Sequence, residues 1–269
     1  MQTLRGRRDT MRLEGKVAIV TGASRGLGQH VAEGYAREGA FVVVAARSET
    51  VRDERLPGTI HETVARIHAA GGRALAVPCN VGDFADCEQM AKRALEEFGR
   101  IDILVNNAAV QPPGRLSDMQ VRHWDVELRV NLSGPFYCTR AVLESMRGTG
   151  GGSIINVSSV AADHASAGTA GHYGLMKLTL ENMTRLLAAE VAPWGIAVNA
   201  LKPKGAVDTP GLRFARAARG DTAPPGLPGP EEFVEAAIIL ATSTPGAFTG
   251  NAINDEDVLA RFGHGASLA

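Results

Sequence analysis

A single-domain α/β fold, with one doubly wound parallel sheet and helices on both faces, is the architecture this chain predicts. Three observations carry the prediction. Short apolar runs, of the kind expected for strands buried on both faces, alternate along the chain with longer amphipathic stretches. Polar residues gather at the carboxyl ends of successive runs, where such sheets bind ligands. A length of 269 residues with 45% hydrophobic content is enough for one large core. Single helices between strands then impose parallel pairing.

Taken in order, residues 1–12 are polar and rich in arginine (Arg5, Arg7, Arg8, Arg12) and are expected to be a frayed tail. The single domain is expected over 13–269. Residues 17–20 (VAIV) form the first strand, and TGASRGLG follows at once. Strand, glycine loop and helix in that order make a phosphate-binding turn. Glycines let backbone approach a pyrophosphate, and the helix N-terminus faces its charge. The spacing of Gly22, Gly26 and Gly28 differs from G-x-G-x-x-G, so position rather than the generic fingerprint carries this reading.

The helix runs to a stop at Gly39, and 41–46 is the second strand. Ile60, Val64 and Ile67 mark a helix closed by Gly71-Gly72. Residues 73–79 form the third strand, and Asp83 caps a helix that ends at Gly99. The fourth strand is 101–105. Ser117 is expected to cap a helix carrying Trp124, and a further helix spans about 132–146. Residues 153–157 form the fifth strand. A helix with Tyr173 and Lys177 runs on to Pro193, and 196–201 is the sixth strand.

Composition excludes several functions. The formal net charge of −1 offers no attraction to nucleic acid or to an anionic membrane. No apolar run approaches the ~20 residues of a membrane span, and no signal peptide is apparent. Cys79, Cys87 and Cys138 lack metal-ligand spacing, so no metal is expected and the thiols read as reduced. A cytoplasmic location is expected.

Tyr173 and Lys177 stand four residues apart, on one face of a helix and one turn from each other. A nearby ammonium favours the phenolate and lowers the tyrosine pKa towards a range useful for proton transfer. Polar strand ends at 21–28, 47–48, 80, 106–107, 158–159 and 202–209 describe one continuous crevice beside that helix.

TGASRGLG, the NNAA that begins at Asn106, Asn131, Ser158-Ser159, YGLMK and NALKPKGAVDT together resemble the short-chain dehydrogenase/reductase family, from about residue 16 to 250. The resemblance implies a Rossmann-type fold and hydride transfer between a nicotinamide cofactor and a carbonyl or secondary alcohol. It implies that Tyr173 exchanges a proton with the substrate oxygen and that Ser159 bonds that oxygen. Lys177 holds the cofactor ribose, and Asn131 holds a water leading to Lys177. For the cofactor it implies Gly22, Ser24, Arg25, Gly26, Leu27 and Gly28 in the loop, with Arg47 and Ser48 after the second strand. Asn80 then lies near the adenine, Asn107 secures the strand end beneath the nicotinamide, and Val81, Ala108 and Ala109 also bind the cofactor. Tyr173, Lys177, Pro203, Gly205, Val207 and Thr209 complete the set.

The chain departs from the family pattern at Asn80, where Asp is frequent, and at Lys204, inserted within the usual Pro-Gly. The Ser159–Tyr173 spacing is one residue longer, and the frequent closing Asp-Gly-Gly is absent. Helix N-capping by Asn131 and turn formation by the serines are the blander readings.

NADP(H) is expected over NAD(H). Neutral Ala46 stands where an acid selecting the ribose 2′-hydroxyl belongs, and Arg47, Ser48 and Arg25 are suited to a 2′-phosphate. Residues 109–116, 160–172 and a lid at 210–228 wall the substrate pocket. Arg213, Arg216 and Arg219 either meet an acidic substrate or form a solvated helix face, and His164 and His172 are polar lining. The helices at 132–146 and 171–192 carry surplus apolar residues, including Ala141, Val142, Leu143, Leu178, Leu180 and Leu187. A homo-oligomer, dimer or tetramer, is expected. A cofactor-binding sensor or scaffold without turnover, and an enzyme acting on an activated double bond or an epimerisable centre, are the alternatives at this point.

Overall fold

The computed structural model describes residues 11–51, 53–163, 171–218, 220–222 and 225–269. Among them, strands β1 (Val17–Thr21), β2 (Phe41–Ala46), β3 (Arg73–Pro78), β4 (Ile103–Asn106), β5 (Gly152–Val157), β6 (Ile196–Lys202) and β7 (Ala252–Asn254) form one parallel sheet. Its order is β3-β2-β1-β4-β5-β6-β7. The order reverses between β1 and β4, and there the carboxyl ends diverge into a crevice. Strand β1 is buried along its whole length.

Side chains alternate between two cores because the strand period is two. On one face Val42 and Val44 pack against α1 (Gly26–Arg37), α2 (Ile60–Ala69) and α8 (Glu231–Ala241). On the other face Ile19 and Val43 meet α3 (Phe84–Phe98), α5 (Gly134–Gly148) and α6 (Gly171–Val191). Thr59 and Glu62 form a capping box at the start of α2. Asp83 caps α3, and Gly99 ends it in the left-handed conformation at φ 77°.

Four sequence expectations need correction. Arg12, assigned to the tail, is bonded to Glu38 and Glu235 at 2.6 Å each. Arg12 is therefore part of the folded domain, as is Leu13 in the core. Ser117 caps no helix: α4 (Val121–Leu128) begins after Gln120, and Asp118 Oδ1 instead accepts the Arg115 N–H in the preceding turn. The helix expected from about 132 is continuous with α4 through a π-helical turn, Arg129–Ser133. Strand β7 was not anticipated, because three half-exposed residues carry almost no alternation to read.

The expected lid contains α7 (Pro210–Ala217), capped by Thr209. Its two ends are pinned together where the Asp208 N–H donates to the Pro228 carbonyl at 3.1 Å. The chain closes with α9 (Asp255–Phe262). No helix of the described residues is long and apolar enough to cross a membrane.

Candidate active site

Thr21 ties the two central strands together where the crevice opens. Its hydroxyl donates to the Val105 carbonyl at 3.1 Å and accepts the N–H groups of Asn107 (3.0 Å) and Ala108 (3.1 Å). Asn107 returns the link, its Nδ2 donating to the Thr21 carbonyl at 2.8 Å. As expected, Asn107 secures a strand end. Gly22 must be glycine for the same reason: φ is 66°, and a Cβ there would stand 2.8 Å from the Ala108 Cα.

Asn131, Ser159, Tyr173 and Lys177, the residues assigned catalytic roles by the resemblance, come from three elements. The Ser158 hydroxyl donates to Glu181 Oε1 at 2.7 Å, and the same carboxylate lies 3.5 Å from Lys202 Nζ, which also pairs with Asp163. Ser158 is thus held inward. Ser159 Oγ accepts the Ala161 N–H at 3.2 Å, which leaves its hydroxyl proton to be donated elsewhere. Gly174 presses the first turn of α6 against the 3₁₀ turn Val160–Ala162, since a Cβ there would overlap the Ala161 carbonyl oxygen. That approach joins the turn that carries Tyr173 to the turn that Ser159 caps.

Lys177 is 2% exposed and donates to the Val157 carbonyl at 2.7 Å, with its Nζ 5.4 Å from the centre of the Tyr173 ring. Asn131 lies inside the π turn and is fully buried, so the N-cap reading does not hold. Its Oδ1 accepts from Val110 N at 2.8 Å, and its Nδ2 donates to Val110 O at 2.7 Å.

The electrostatics differ from the sequence expectation. Burial, and then the charge of Glu127, push the Tyr173 phenol upward. Burial likewise lowers the Lys177 ammonium to about 8, with Glu127 opposing. In the protein alone, desolvation of both groups outweighs the attraction between them.

At the end of β2, Arg25 Nη2 donates to Ser48 Oγ at 3.1 Å and to the Gly58 carbonyl at 2.8 Å. Burial and then the like charge of Arg47 lower its pKa, partly offset by Asp53 and Glu62. Its Nε is buried without a partner. Leu27 packs against the core beside α1, and Ser24 and Val81 are buried. The Asn80 Oδ1 accepts the Gly82 N–H at 3.2 Å, so it shapes its own turn. Ala109 is exposed at the crevice. Thr209 packs its side chain where a Cβ on Gly26 would reach 3.4 Å, and Val207 is buried just before it. Pro203 and Gly205 flank Lys204, whose N–H donates to Asp255 Oδ1 at 2.8 Å and whose ammonium pairs with Glu256. The inserted residue is thus tied to α9.

Residues 16–220 match the family described as short chain dehydrogenase. The chain belongs to the short-chain dehydrogenases/reductases. A short-chain reductase protein, NovJ of Streptomyces niveus, is 39% identical over 88% of this chain and 91% of its own. A 3-oxoacyl-[acyl-carrier-protein] reductase of Synechocystis is 36% identical over 93% and 99%. Among solved structures, a putative NAD(P)-dependent gluconate 5-dehydrogenase of Beutenbergia cavernae with bound NADP superposes with a TM-score of 0.77. It is 29% identical over 91% of this chain and 97% of that one.

This short-chain dehydrogenase/reductase has a crevice that fits a nicotinamide dinucleotide. The N-terminus of α1 has no side-chain cap and no acid in its first turn, so its N–H groups suit a pyrophosphate. Sequence reasoning missed Glu127 and took His172 for polar pocket lining; the two instead form a fully buried pair with Nδ1 and Oε2 2.6 Å apart. Glu127 precedes Asn131 by one helical turn, a signal that the surrounding apolar pattern hid. Arg213 and Arg216 bond to Asp208 and Asp221, so the solvated-face reading suits them better than a substrate anion. Arg219 and His164 lie outside the described residues.

Proposed function

We propose that the enzyme transfers hydride between NADP(H) and a carbonyl or secondary-alcohol substrate, with Tyr173 as general acid/base. When bound, the nicotinamide supplies or accepts the hydride. Support comes above all from the meeting of Ser159, Tyr173 and Lys177 at one strand edge, held by the Ala161–Gly174 contact and the Lys177–Val157 bond. A phenol with a raised pKa is protonated at neutral pH, the form that donates to a developing alkoxide. Ser159 orients the substrate oxygen with its hydroxyl, and Lys177 engages the ribose. Asn131, held in the π turn by both amide atoms on Val110, is the residue assigned to the water that leads to Lys177. Arg25, Arg47 and Ser48 favour the 2′-phosphate of NADP(H).

Leu175, Leu178 and Leu186 on α6 and Phe136 on α5 are exposed and mark the face on which a second subunit of a cytoplasmic homo-oligomer packs. Val142, Leu143 and Leu180 instead belong to the chain's own interior.

Ketones, quinones, sugars and acyl thioesters followed by NADPH absorbance test the activity. On the best substrate, Tyr173→Phe lowers turnover at least ~10²-fold and leaves NADPH affinity unchanged. Near wild-type turnover in that variant overturns the assignment.

A further inference from the structure

Glu127 and His172 stand beside the Tyr173–Lys177 group without a part in the chemistry above. Glu127 ends α4, His172 begins α6, and neither side chain reaches solvent. A hydrogen bond of 2.6 Å joins His172 Nδ1 and Glu127 Oε2. As a fastening between helices the pair is costly. Apolar side chains of similar volume join two helices as well or better, because no charge has to be desolvated. Nor is the network complete: Glu127 Oε1 and His172 Nε2 are both buried without partners.

What the pair touches gives it a purpose. Glu127 is four residues ahead of Asn131, and His172 is the residue before Tyr173. Their bond therefore joins the π turn that carries Asn131 to the turn that carries the phenol. Glu127 also sets charge at the site, raising Tyr173 and opposing the fall of Lys177. Burial raises Glu127 itself, against the pull of His172 and Lys177. The groups on which its charge acts are Tyr173 and Lys177 of α6.

We infer that Glu127 and His172 are positioning residues: their bond sets the approach of the Tyr173 turn to the Asn131 turn. The inference rests on the reading of Tyr173 as acid/base.

Five variants, with Tyr173→Phe measured in parallel, test it: His172→Leu, Glu127→Leu, the double Leu variant, His172→Asn and Glu127→Gln. The amide of asparagine can donate near the position of Nδ1, and glutamine keeps an acceptor near Oε2. Each single Leu variant is expected to lose at least about tenfold in kcat while NADPH affinity stays within about twofold. His172→Asn and Glu127→Gln recover most of that loss. The double Leu variant packs an apolar contact, folds at least as stably as the parent, and still shows the kcat defect. Its alkaline limb for carbonyl reduction moves to lower pH, because Lys177 has lost its counter-charge.

Where a single variant does not fold, the double decides. Parental kcat and pH profile in the double Leu variant, together with a defect in Tyr173→Phe, overturn the positioning role alone. Undiminished turnover in Tyr173→Phe overturns the reading on which it rests.

Discussion

Arg47 and Lys177 carry the sharpest expectations at the residue scale. Charge-assisted bonds of ~1.5–3 kcal/mol from Arg47, Arg25 and Ser48 to a phosphate imply one to two orders of magnitude in favour of NADPH over NADH. Arg47→Asp replaces attraction by repulsion and should narrow or reverse that preference. Fluorescence titration with both reduced cofactors checks it, and tighter NADH binding by the parent protein refutes it. Lys177 is lowered to about 8, so its ammonium is present below that pH and lost above it. In carbonyl reduction kcat/KM should therefore hold at neutral pH and fall as pH rises through about 8, since this ratio reports the free enzyme. A profile flat to pH 10 contradicts the assignment. The tyrosine–lysine spacing was readable from sequence because it repeats one helical turn. Desolvation was not, because it depends on how deeply the packed molecule buries both groups, which no spacing records.

At the scale of elements, the site depends on how closely α6 approaches the turn after β5. Gly174 makes that approach possible, and Gly174→Ala must push Tyr173 away from Ser159. A displacement near 1 Å at reacting groups costs on the order of 10²-fold. The variant is expected to lose about that in kcat with NADPH affinity nearly unchanged, as steady-state kinetics and titration will show. An unaltered kcat would mean that the 3₁₀ turn yields instead. The strands flanking the site were legible, since a buried parallel strand is a continuous apolar run between turn residues. The π turn at Arg129–Ser133 was not: an extra residue in a helix leaves the local composition unchanged, and the bonds of Asn131 within it reach Val110, 21 positions earlier. The pairing of Glu127 with His172 escaped for a related reason, since 45 positions separate them and no motif joins the two.

For the whole molecule, Leu175, Leu178 and Leu186 form an exposed apolar stripe, the face on which the proposed second subunit would pack. Light scattering at micromolar concentration should give a multiple of 28.3 kDa, and a lone 28.3 kDa species would refute the oligomer. The α/β architecture was plain from the alternation of strands and helices. Its last strand was not, because β7 is held in place by tertiary context, including the Ala200 N–H that donates to the Asn251 carbonyl at 2.7 Å. Arg12 adds a constraint of another kind. Its guanidinium grips Glu235, 223 positions later, and lies 3.4 Å from the Ala266 carbonyl. On a ribosome adding ~5–20 residues per second, the N-terminal side of this clasp waits about 10–45 s for its counterpart to be synthesised. During that interval Glu38 is the anchor available to Arg12, and the first three strands must hold together without the final brace. Completion of the fold is thus tied to completion of translation, and a nascent chain interrupted before Glu235 is left with its beginning unlatched.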